Sequence, residues 1–335
     1  MKVAVIGAGS MGSMHADLLG AMDEVDELFI VDADASRAEQ VAQRAGGRAV
    51  TFDEAIEAAE AVIIVTPPEL HRAAVETALD RGLHVLCEKP LTESLDTTIE
   101  LTRRVEEQGS HLEVGFQRRH DAGFNAARDA AQGRIHTIQL TAHDPLISPQ
   151  SAPSGPPPQV APIFRDSSIH DFDVVRWLSG QEVTEVSVEA STRTGSRPED
   201  PRAIESAIIT MRLSGGTLAV LDAAWLHPSG YDCRIELLSE RAAVTGGLSP
   251  RTPVLHADWS APVDPWRGYL DRFEAAYRAE LAAFLACCRG VRPPSSSARD
   301  GLEAMRIAVA ATLSHVERRR VSLNEVAGLQ RAQVA

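Results

Sequence analysis

The 335-residue sequence predicts an α/β protein in which a doubly wound parallel sheet is followed by an α+β domain with a largely antiparallel open sheet. Short apolar runs alternate with helical patterns through the first third, as is typical of parallel strands buried on both faces. A glycine-rich turn directly follows the first of these runs. Beyond about residue 180 the apolar residues repeat every second position, which indicates half-buried strands. We expect a first domain over residues 1–116 and a second over 117–335, with the last helices able to pack back on the first.

The glycine turn joins a predicted strand over residues 3–6 to a helical pattern that runs to about residue 22. Its sequence, Gly7-Ala8-Gly9-Ser10-Met11-Gly12, is the G-x-G-x-x-G pattern in the setting that dinucleotide binding requires. Gly7 permits the tight turn, Gly9 lets the backbone approach a pyrophosphate, and Gly12 lets helix and strand pack closely. Free N–H groups at the helix N-terminus would hold the phosphates, which brings Ser10 and Met11 into the cofactor site.

A second strand, over residues 28–31, ends in Asp32, about 20 residues beyond the last glycine as the dinucleotide pattern expects. This carboxylate would accept hydrogen bonds from both adenosine ribose hydroxyls and would repel a 2′-phosphate. No arginine stands beside it, and Arg37 is poorly placed to serve. The sequence therefore predicts NAD as the cofactor, in preference to NADP.

The alternation continues with strands over residues 61–65 and 83–87 and a helix over 69–81. Ligands of doubly wound sheets bind outside the carboxyl ends of the strands. Thr66-Pro67-Pro68 and Glu88-Lys89-Pro90 follow these two strands, so both turns lie at the predicted binding edge.

Together the glycine turn followed by His15, the Thr-Pro-Pro turn with His71, and Glu88-Lys89-Pro90 resemble the Gfo/Idh/MocA family of nicotinamide-dependent sugar and polyol dehydrogenases. The resemblance implies a Rossmann domain, a cis peptide bond before Pro90, and a lysine, Lys89, that contacts both cofactor and substrate. It also implies a cofactor-binding set that includes Thr66, Pro67, His71, Glu88 and Lys89. From the residues alone, His15 and His71 serve equally well as buried histidines that satisfy backbone carbonyls.

The second domain begins after a strand over residues 112–116. From the residues alone, the two adjacent arginines Arg118 and Arg119 are typical of solvated side chains or of partners for acidic neighbours. In the inositol dehydrogenase branch of the family, a G-F-x-R-R run places its first arginine near the substrate, which implies that Arg118 is a hydroxyl donor. That branch often has Met where this chain has Gln117. A helix over 121–132 and a strand over 135–142 follow, and the strand ends in His143-Asp144.

Residues 145–162 are rich in Pro and Ser and predict a long loop. We interpret it as a flap over the site, with a plain disordered insertion as the alternative. The loop leads into Phe164-Arg165-Asp166-Ser167-Ser168-Ile169-His170-Asp171-Phe172-Asp173. In an α-helix Asp166, His170 and Asp173 would share one face, at i, i+4 and i+7. Relatives commonly carry a Gly pair before the F-R-D run, whereas this chain has Val160-Ala161-Pro162.

Strands with period-two patterns are predicted around residues 185–190 and over 207–213, 218–225 and 233–238, with a hairpin turn at Ser214-Gly215-Gly216. One face of such a sheet packs on helices. The other face, where it is apolar, needs a partner, so we expect a homo-oligomer, a dimer or tetramer, through this sheet. Long helices are predicted over 269–288 and 298–315. The first carries a Phe273, Tyr277, Leu281 and Phe284 stripe that we interpret as core.

Composition excludes several classes of partner. The net charge is -14, which predicts that the chain binds neither nucleic acid nor an anionic membrane. Cys87, Cys233, Cys287 and Cys288 form no C-x-x-C pair, so we expect reduced thiols and no metal site. No apolar run is long enough for a membrane span or secretory signal, and we expect a soluble cytoplasmic protein.

These residues predict a dehydrogenase that removes a hydride and a hydroxyl proton together. We expect His170 to be the general base, Asp166 to orient it and bind a substrate hydroxyl, and Lys89 to position the reacting oxygen. Arg118, His143 and Tyr231 are further predicted substrate contacts, with a structural role as the alternative for each. Asp173 is predicted to be a supporting or helix-surface carboxylate. The resemblance implies a substrate that is a cyclitol or sugar similar to myo-inositol. An aldose or other sugar derivative is the alternative, and a non-catalytic cofactor-sensing regulator is a further one.

Overall fold

The computed structural model describes residues 1–145, 160–228, 230–247 and 266–327. Within it the chain forms two compact units. The first combines Met1–Gln117 with Tyr277–Leu302, and the second combines Arg118–Ala276 with Glu303–Ala335. The first unit therefore takes in a C-terminal segment as well as the N-terminal third.

The first unit is built on a six-stranded parallel sheet with the strand order β3-β2-β1-β4-β5-β6. Its strands are β1 Lys2–Ile6, β2 Glu27–Val31, β3 Arg48–Ala49, β4 Ala61–Ile64, β5 His84–Cys87 and β6 Leu112–Val114. The helices between them are α1 Ser10–Gly20, α2 Ala35–Ala45, α3 Phe52–Ala58, α4 Pro68–Asp80 and α5 Leu95–Gln108. The strand order reverses between β1 and β4, so the predicted doubly wound parallel sheet is confirmed.

The centre of this sheet is fully apolar. Every residue of Ala61–Ile64 is 0% exposed, and Val3, Ala4 and Val5 are buried to the same degree. Each large apolar side chain removed from water in this way contributes about 1.5–3 kcal/mol to the free energy of unfolding. Continuous apolar runs, with no alternation, therefore encode strands covered on both faces.

Three helices of this unit, α2, α3 and α5, are additional to those predicted from the sequence. Each has a side-chain cap at its first turn. Asp34 accepts from the backbone N–H of Ser36, and Ser94 accepts from that of Thr97. Thr51 and Glu54 form a reciprocal capping box. These caps satisfy backbone donors that a helix leaves open at its start.

The second unit contains a seven-stranded sheet with the order β12-β11-β7-β10-β9-β8-β13. Its strands are β7 Ile135–Pro145, β8 Val183–Thr192, β9 Ile204–Leu213, β10 Leu218–His227, β11 Asp232–Ser239, β12 Ala243–Gly246 and β13 Val321–Ser322. All neighbours are antiparallel except β7 and β10, which run parallel. The predicted, largely antiparallel sheet is confirmed.

Four longer α-helices of the described chain lie outside its first third: α6 Ala122–Ala130, α7 Ile169–Ser179, α8 Tyr269–Cys288 and α9 Ala298–Glu317. Phe273, Tyr277, Leu281 and Phe284 on α8 are at most 3% exposed, so their prediction as core is confirmed. No described helix has the length and hydrophobicity needed to cross a bilayer.

The two faces of the second sheet differ in what covers them. Along β10, Ala219, Leu221 and Ala223 are at most 1% exposed, whereas Leu218 and Val220 are 43% and 38% exposed. This is the period-two alternation of a sheet whose one face packs on a core. The other face carries four large apolar side chains that remain exposed, from β9, β10 and β11: Ile208, Leu218, Val220 and Leu238.

The segment before α7 is not an α-helix. Ile163–Ser168 forms a turn of π-helix, and α7 starts immediately after it. A π-turn bonds residues five apart, so side chains on either side of it no longer follow the α-helical period. The prediction that Asp166, His170 and Asp173 share one α-helical face is therefore wrong for Asp166, because the π-turn lies between it and His170. His170 and Asp173 are both in α7. The predicted flap falls largely on residues 146–159, which lie outside the described part of the chain.

Candidate active site

The glycine turn has the geometry of a phosphate cradle. Gly7 has a φ of 109°, and a Cβ there would lie 2.9 Å from the carbonyl oxygen of Val65. A Cβ on Gly12 would lie 1.8 Å from the carbonyl oxygen of Gly7, so neither position accepts a side chain. No described atom lies within 4 Å of a Cβ built on Gly9, and no side chain caps the start of α1. The open backbone N–H groups of this turn fit an anion.

The carboxylate of Asp32 is held in place at the end of β2. One oxygen accepts from the backbone N–H of Ala8 at 2.7 Å, and the other accepts from that of Asp34 at 2.9 Å. Arg37 also reaches it, with Nη1 3.5 Å from Oδ1, although its side chain is 51% exposed. The arginine is thus nearer to Asp32 than the sequence predicts.

A cavity of about 1230 Å³ lies along this edge of the sheet. Its lining combines the glycine turn with the ends of β2 and β4, and includes Gly7, Gly9, Ser10, Met11, Asp32, Thr66 and Pro67. These are seven of the residues predicted to bind the cofactor. The cavity is large enough for a dinucleotide, since ligand pockets commonly occupy about 300–1,000 Å³.

Glu88, at the end of β5, is buried against α1. Its Oε1 lies 2.9 Å from Nε2 of His15, which is 0% exposed. Burial opposes ionisation of Glu88, but the hydrogen bond and charge of His15 outweigh it and lower the pKa of this carboxyl. The other carboxylate oxygen accepts from the backbone N–H of Lys89 at 3.2 Å. The pair therefore fixes the backbone of the Glu-Lys-Pro turn from inside the protein.

His71 joins the two turns of this edge. Its Nδ1 lies 3.0 Å from the carbonyl oxygen of Pro90, and its Nε2 lies 2.7 Å from that of Thr66. Burial lowers its pKa, so the ring is neutral and donates to one carbonyl at a time. The peptide bond between Lys89 and Pro90 is cis. Through His71 the turn that carries Lys89 has a fixed position relative to the turn that lines the cavity.

In the second unit two buried ion pairs support α7. Arg118, 2% exposed, pairs with Asp171, and Arg119 donates from Nε to Asp173 at 2.8 Å. Asp173 is 0% exposed, so it supports the helix from within and does not lie on the helix surface. Burial raises the pKa of Asp171 to about 6, although the charge of Arg118 opposes this shift. The pairs hold in place two residues of α7 that closely follow His170, namely Asp171 and Asp173.

His170 is the second residue of α7 and is 8% exposed. Asp166 lies in the preceding π-turn with its side chain 45% exposed. Both of its oxygens accept from Arg165, at 2.7 Å and 3.1 Å. The π-turn itself is tied to the end of β7, because Ser167 donates to Asp144 at 2.8 Å. The backbone that carries His170 is thus held in place by its neighbours, whereas the side chain of Asp166 lies at the protein surface.

Tyr231 lies near the Arg118 pair. It is 8% exposed, and its ring centroid is 6.2 Å from that of Phe273, which also lies 5.7 Å from the guanidinium carbon of Arg118. Burial raises the pKa of Tyr231 well above its usual value, so the phenol keeps its proton and can donate a hydrogen bond.

His143 is on the other face of the sheet. Successive side chains of a strand point to opposite faces, and its neighbour Asp144 is the residue that faces the π-turn. The Nε2 of His143 lies 3.1 Å from Asp222, and its ring is 5.1 Å from that of His227. The structure therefore brings Arg118, Tyr231 and the His170 turn together within the second unit, and separates His143 from them.

Several residues that shape these sites were not singled out from the sequence. They are Asp171, Asp144 and Ser167 in the second unit, and the His15–Glu88 bond in the first. The residue types do indicate that ion pairs can form. Two adjacent arginines, as at 118 and 119, can pair one to one with two carboxylates spaced two residues apart, as at 171 and 173. The sequence does not give their pairing, because 53 residues separate Arg118 from Asp171.

Comparison with known proteins finds two matching family models. The Gfo/Idh/MocA model described as "Oxidoreductase family, NAD-binding Rossmann fold" matches residues 1–116, and its partner, "Oxidoreductase family, C-terminal alpha/beta domain", matches residues 133–323.

Individual relatives match along almost the whole chain. Myo-inositol dehydrogenase Hyg17 of Streptomyces leeuwenhoekii is 36% identical, over 94% of this chain and 97% of its own length. Myo-inositol 2-dehydrogenase of Thermotoga maritima is 29% identical, over 98% and 100%. The crystal structure of a myo-inositol dehydrogenase from Corynebacterium glutamicum superposes with a TM-score of 0.86 at 28% identity, covering 96% of this chain and 98% of that one.

Proposed function

The chain belongs to the Gfo/Idh/MocA family of oxidoreductases, whose Rossmann domain binds NAD, and on this premise we propose that it oxidises a secondary hydroxyl of a cyclitol such as myo-inositol to a ketone. One observation carries the proposal. A chain 36% identical to a myo-inositol dehydrogenase over nearly its full length also has the Glu88-Lys89-Pro90 turn and the Asp166–His170 pair.

The first unit fits the cofactor that this reaction needs. The glycine turn would hold the pyrophosphate, and the oriented carboxylate of Asp32 would hold the adenosine ribose. Bound NAD⁺ supplies the hydride acceptor, and the reaction balances as alcohol plus NAD⁺ giving ketone, NADH and one proton.

We propose that His170 takes the hydroxyl proton. An imidazole suits this task because its ordinary pKa lies near neutral pH. The Arg118–Asp171 and Arg119–Asp173 pairs act as positioning contacts that hold α7, and with it the ring, in a fixed orientation. Asp166 is proposed to bind a substrate hydroxyl, to which its partly exposed carboxylate is accessible.

Lys89 is proposed to donate a hydrogen bond to the reacting oxygen. As the proton leaves for His170, that oxygen carries negative charge until the hydride has left carbon, and a nearby ammonium stabilises it. The buried His15–Glu88 bond and the bridge through His71 fix the turn from which Lys89 projects. Tyr231, whose phenol keeps its proton, is a proposed hydrogen-bond donor to a second substrate hydroxyl. Arg118 is proposed to act indirectly, by holding Asp171 in place. A role for His143 in binding would require the substrate to contact the other face of the sheet.

The proposal is tested by NAD⁺ reduction across a panel of myo-, scyllo- and chiro-inositol, glucose, xylose and galactose, with NADP⁺ as control. We expect turnover with at least one inositol. Turnover with aldoses alone would replace the proposed substrate class by the sugar alternative. NADH binding without turnover on any compound would favour a cofactor-sensing regulator.

Cofactor choice is proposed to depend on Asp32, because its carboxylate repels a 2′-phosphate. We expect the wild type to prefer NAD⁺, and Asp32→Asn, which keeps the shape but removes the charge, to shift kcat/KM toward NADP⁺ by at least about tenfold, or ~1.4 kcal/mol. Arg37 lies close enough to hold the phosphate once the charge is gone, so adding Arg37→Ala to Asp32→Asn should abolish the gain. An equal preference of Asp32→Asn and wild type would contradict this role.

The exposed apolar face of the second sheet is proposed to bind a second copy of the chain. Ile208, Leu218, Val220 and Leu238 form it, between 38% and 48% exposed. A charge at its centre, Val220→Glu, should prevent association, because burying an unpaired carboxylate costs several kcal/mol. Light scattering after size exclusion is expected to give a multiple of 36.1 kDa for the wild type and 36.1 kDa for Val220→Glu.

The matched control for the sheet face is Val291→Glu, which places the same charge at a 73% exposed valine of the first unit. It should leave the assembly unchanged. A monomeric wild type, or an unchanged assembly of Val220→Glu, would contradict the proposed interface.

A further inference from the structure

A cluster of histidine, cysteine and glutamate side chains lies at the amino-terminal edge of the parallel sheet in the first unit. His84 is the first residue of β5, His111 directly precedes β6, and Glu113 is on β6. Cys287 and Cys288 are the last two residues of α8. The cofactor-binding turns lie at the opposite, carboxyl-terminal edge, so the proposed dehydrogenase chemistry does not use this cluster.

One side of the cluster has the spacing of a tetrahedral metal site. The Nε2 of His111 lies 3.2 Å from Oε1 of Glu113 and 3.4 Å from Sγ of Cys287. Ideal tetrahedral zinc, with bonds of about 2.0–2.1 Å to nitrogen or oxygen and about 2.3 Å to sulfur, places its ligand atoms about 3.4–3.6 Å apart. The observed distances are within a few tenths of an ångström of these values.

Two of these side chains, those of His111 and Glu113, are oriented by hydrogen bonds to residues outside the cluster centre. The second oxygen of Glu113 accepts from the backbone N–H of Ser295 at 2.9 Å. The other ring nitrogen of His111 is hydrogen-bonded to Nδ1 of His84 at 2.6 Å, and this bond fixes the ring plane. Outer contacts of this kind orient the ligands of known metal sites.

We propose that His111, Glu113 and Cys287 bind a zinc-class divalent cation, with water as the fourth ligand. The set contains one imidazole, one carboxylate and one thiolate, which zinc accepts together. The cation would link the C-terminal turn of α8 to the edge of the sheet, and it would stabilise the fold without taking part in turnover.

Proton movements on binding follow from the groups present. A cysteine thiol ordinarily carries its proton at neutral pH. Zinc binds the thiolate, and binding should therefore release about one proton per cation. Affinity should consequently rise with pH.

A second arrangement is built from the same residues. His84, His111 and Cys288 also have ligand atoms within 4.8 Å of one another, but on the Nδ1 side of the His111 ring. There the two ring nitrogens are only 2.6 Å apart, too close for both to bind one zinc without moving. Cys288 is thus a matched control, since it is the neighbouring thiol on the same helix turn.

The test uses the full-length protein after metal is removed with a chelator. Zn²⁺ is titrated against a chromophoric competitor, and Co²⁺ is added separately to detect the thiolate-to-metal charge-transfer band. We expect one cation per chain, a Tm that rises by several degrees with Zn²⁺, and a charge-transfer band in the wild type and in Cys288→Ser. Cys287→Ser should lack the band and bind Zn²⁺ more than about tenfold more weakly. Loss of an outer contact to a metal ligand already weakens binding by about that factor, so loss of a direct ligand should weaken it further.

His111→Asn is a second loss-of-binding variant, and NADH binding shows that each variant is folded, because the cofactor edge is remote from the cluster. Wild type that binds Zn²⁺ no more tightly than Cys287→Ser would overturn the site. Loss of the band in Cys288→Ser but not in Cys287→Ser would overturn the ligand assignment. Since the readouts are metal binding and Tm, failure here is separate from any failure of the dehydrogenase proposal.

Discussion

Replacing His170 by alanine is expected to lower kcat for inositol oxidation by about 10³-fold, within the range that a positioned general base contributes. Without a base, the substrate hydroxyl would have to give its proton to water, which is a far weaker base than imidazole. The expected effect on NADH binding is none, because the cofactor residues belong to the first unit. Steady-state turnover and fluorescence titration of NADH, on the same preparation, measure the two quantities.

Chemical rescue distinguishes a base from a structural side chain. Added imidazole should restore part of the activity of His170→Ala, because it can enter the space that the ring leaves and accept the proton. His136→Ala is the matched control: this histidine is exposed on β7 of the same unit, and its loss should leave turnover unchanged. Unchanged turnover in His170→Ala would remove it from the mechanism.

Replacing Lys89 by methionine is expected to lower kcat/KM by about 10²–10³-fold, as loss of one donor to a developing oxyanion does elsewhere. Methionine preserves most of the length and apolar stem, so the change removes mainly the charge and its hydrogen bonds. Lys89→Arg should retain part of the activity, since it keeps the charge but not the compact ammonium.

The chain offers a clean control for this variant, because Lys2 and Lys89 are its only lysines. Lys2 forms an exposed ion pair with Glu27 and is remote from the carboxyl edge of the sheet. Lys2→Met should therefore leave kcat/KM as in the wild type. Equal activity of Lys89→Met and Lys2→Met would exclude Lys89 from the reaction.

Much of the first unit could be predicted because its signals are local. The Val3–Ile6 run, the three glycines and Asp32 are each recognised from residues close to them in sequence. Strands that are buried on both faces also appear as continuous apolar runs, which are easy to identify. The predicted strands of the second sheet follow a simple alternation in the same way. The structure confirms both sheets.

Features that depend on contacts distant in sequence were not predicted. The π-turn over Ile163–Ser168 changes the relation between Asp166 and His170, and nothing in the residue types distinguishes it from an α-helical turn. Burial of Asp173 depends on Arg119, 54 residues away.

The proposed metal ligands are missed for the same reason. Cys287 and His111 are 176 residues apart, so no sequence spacing of the familiar kind connects them. Their approach is produced by packing of the α8 C-terminal turn on the sheet edge. A pattern search for paired cysteines examines only local spacing, and cannot detect ligands brought together by the fold.

Hydride transfer from a cyclitol carbon to NAD can be followed with an isotope label. Wild-type protein is incubated with NAD⁺ and inositol that carries deuterium on every ring carbon, and the NADH formed is analysed by mass spectrometry. We predict that each NADH gains one deuterium, matched by one equivalent of inosose. NADH that carries no deuterium, or bound cofactor that is never reduced, would exclude hydride transfer from the inositol ring to NAD.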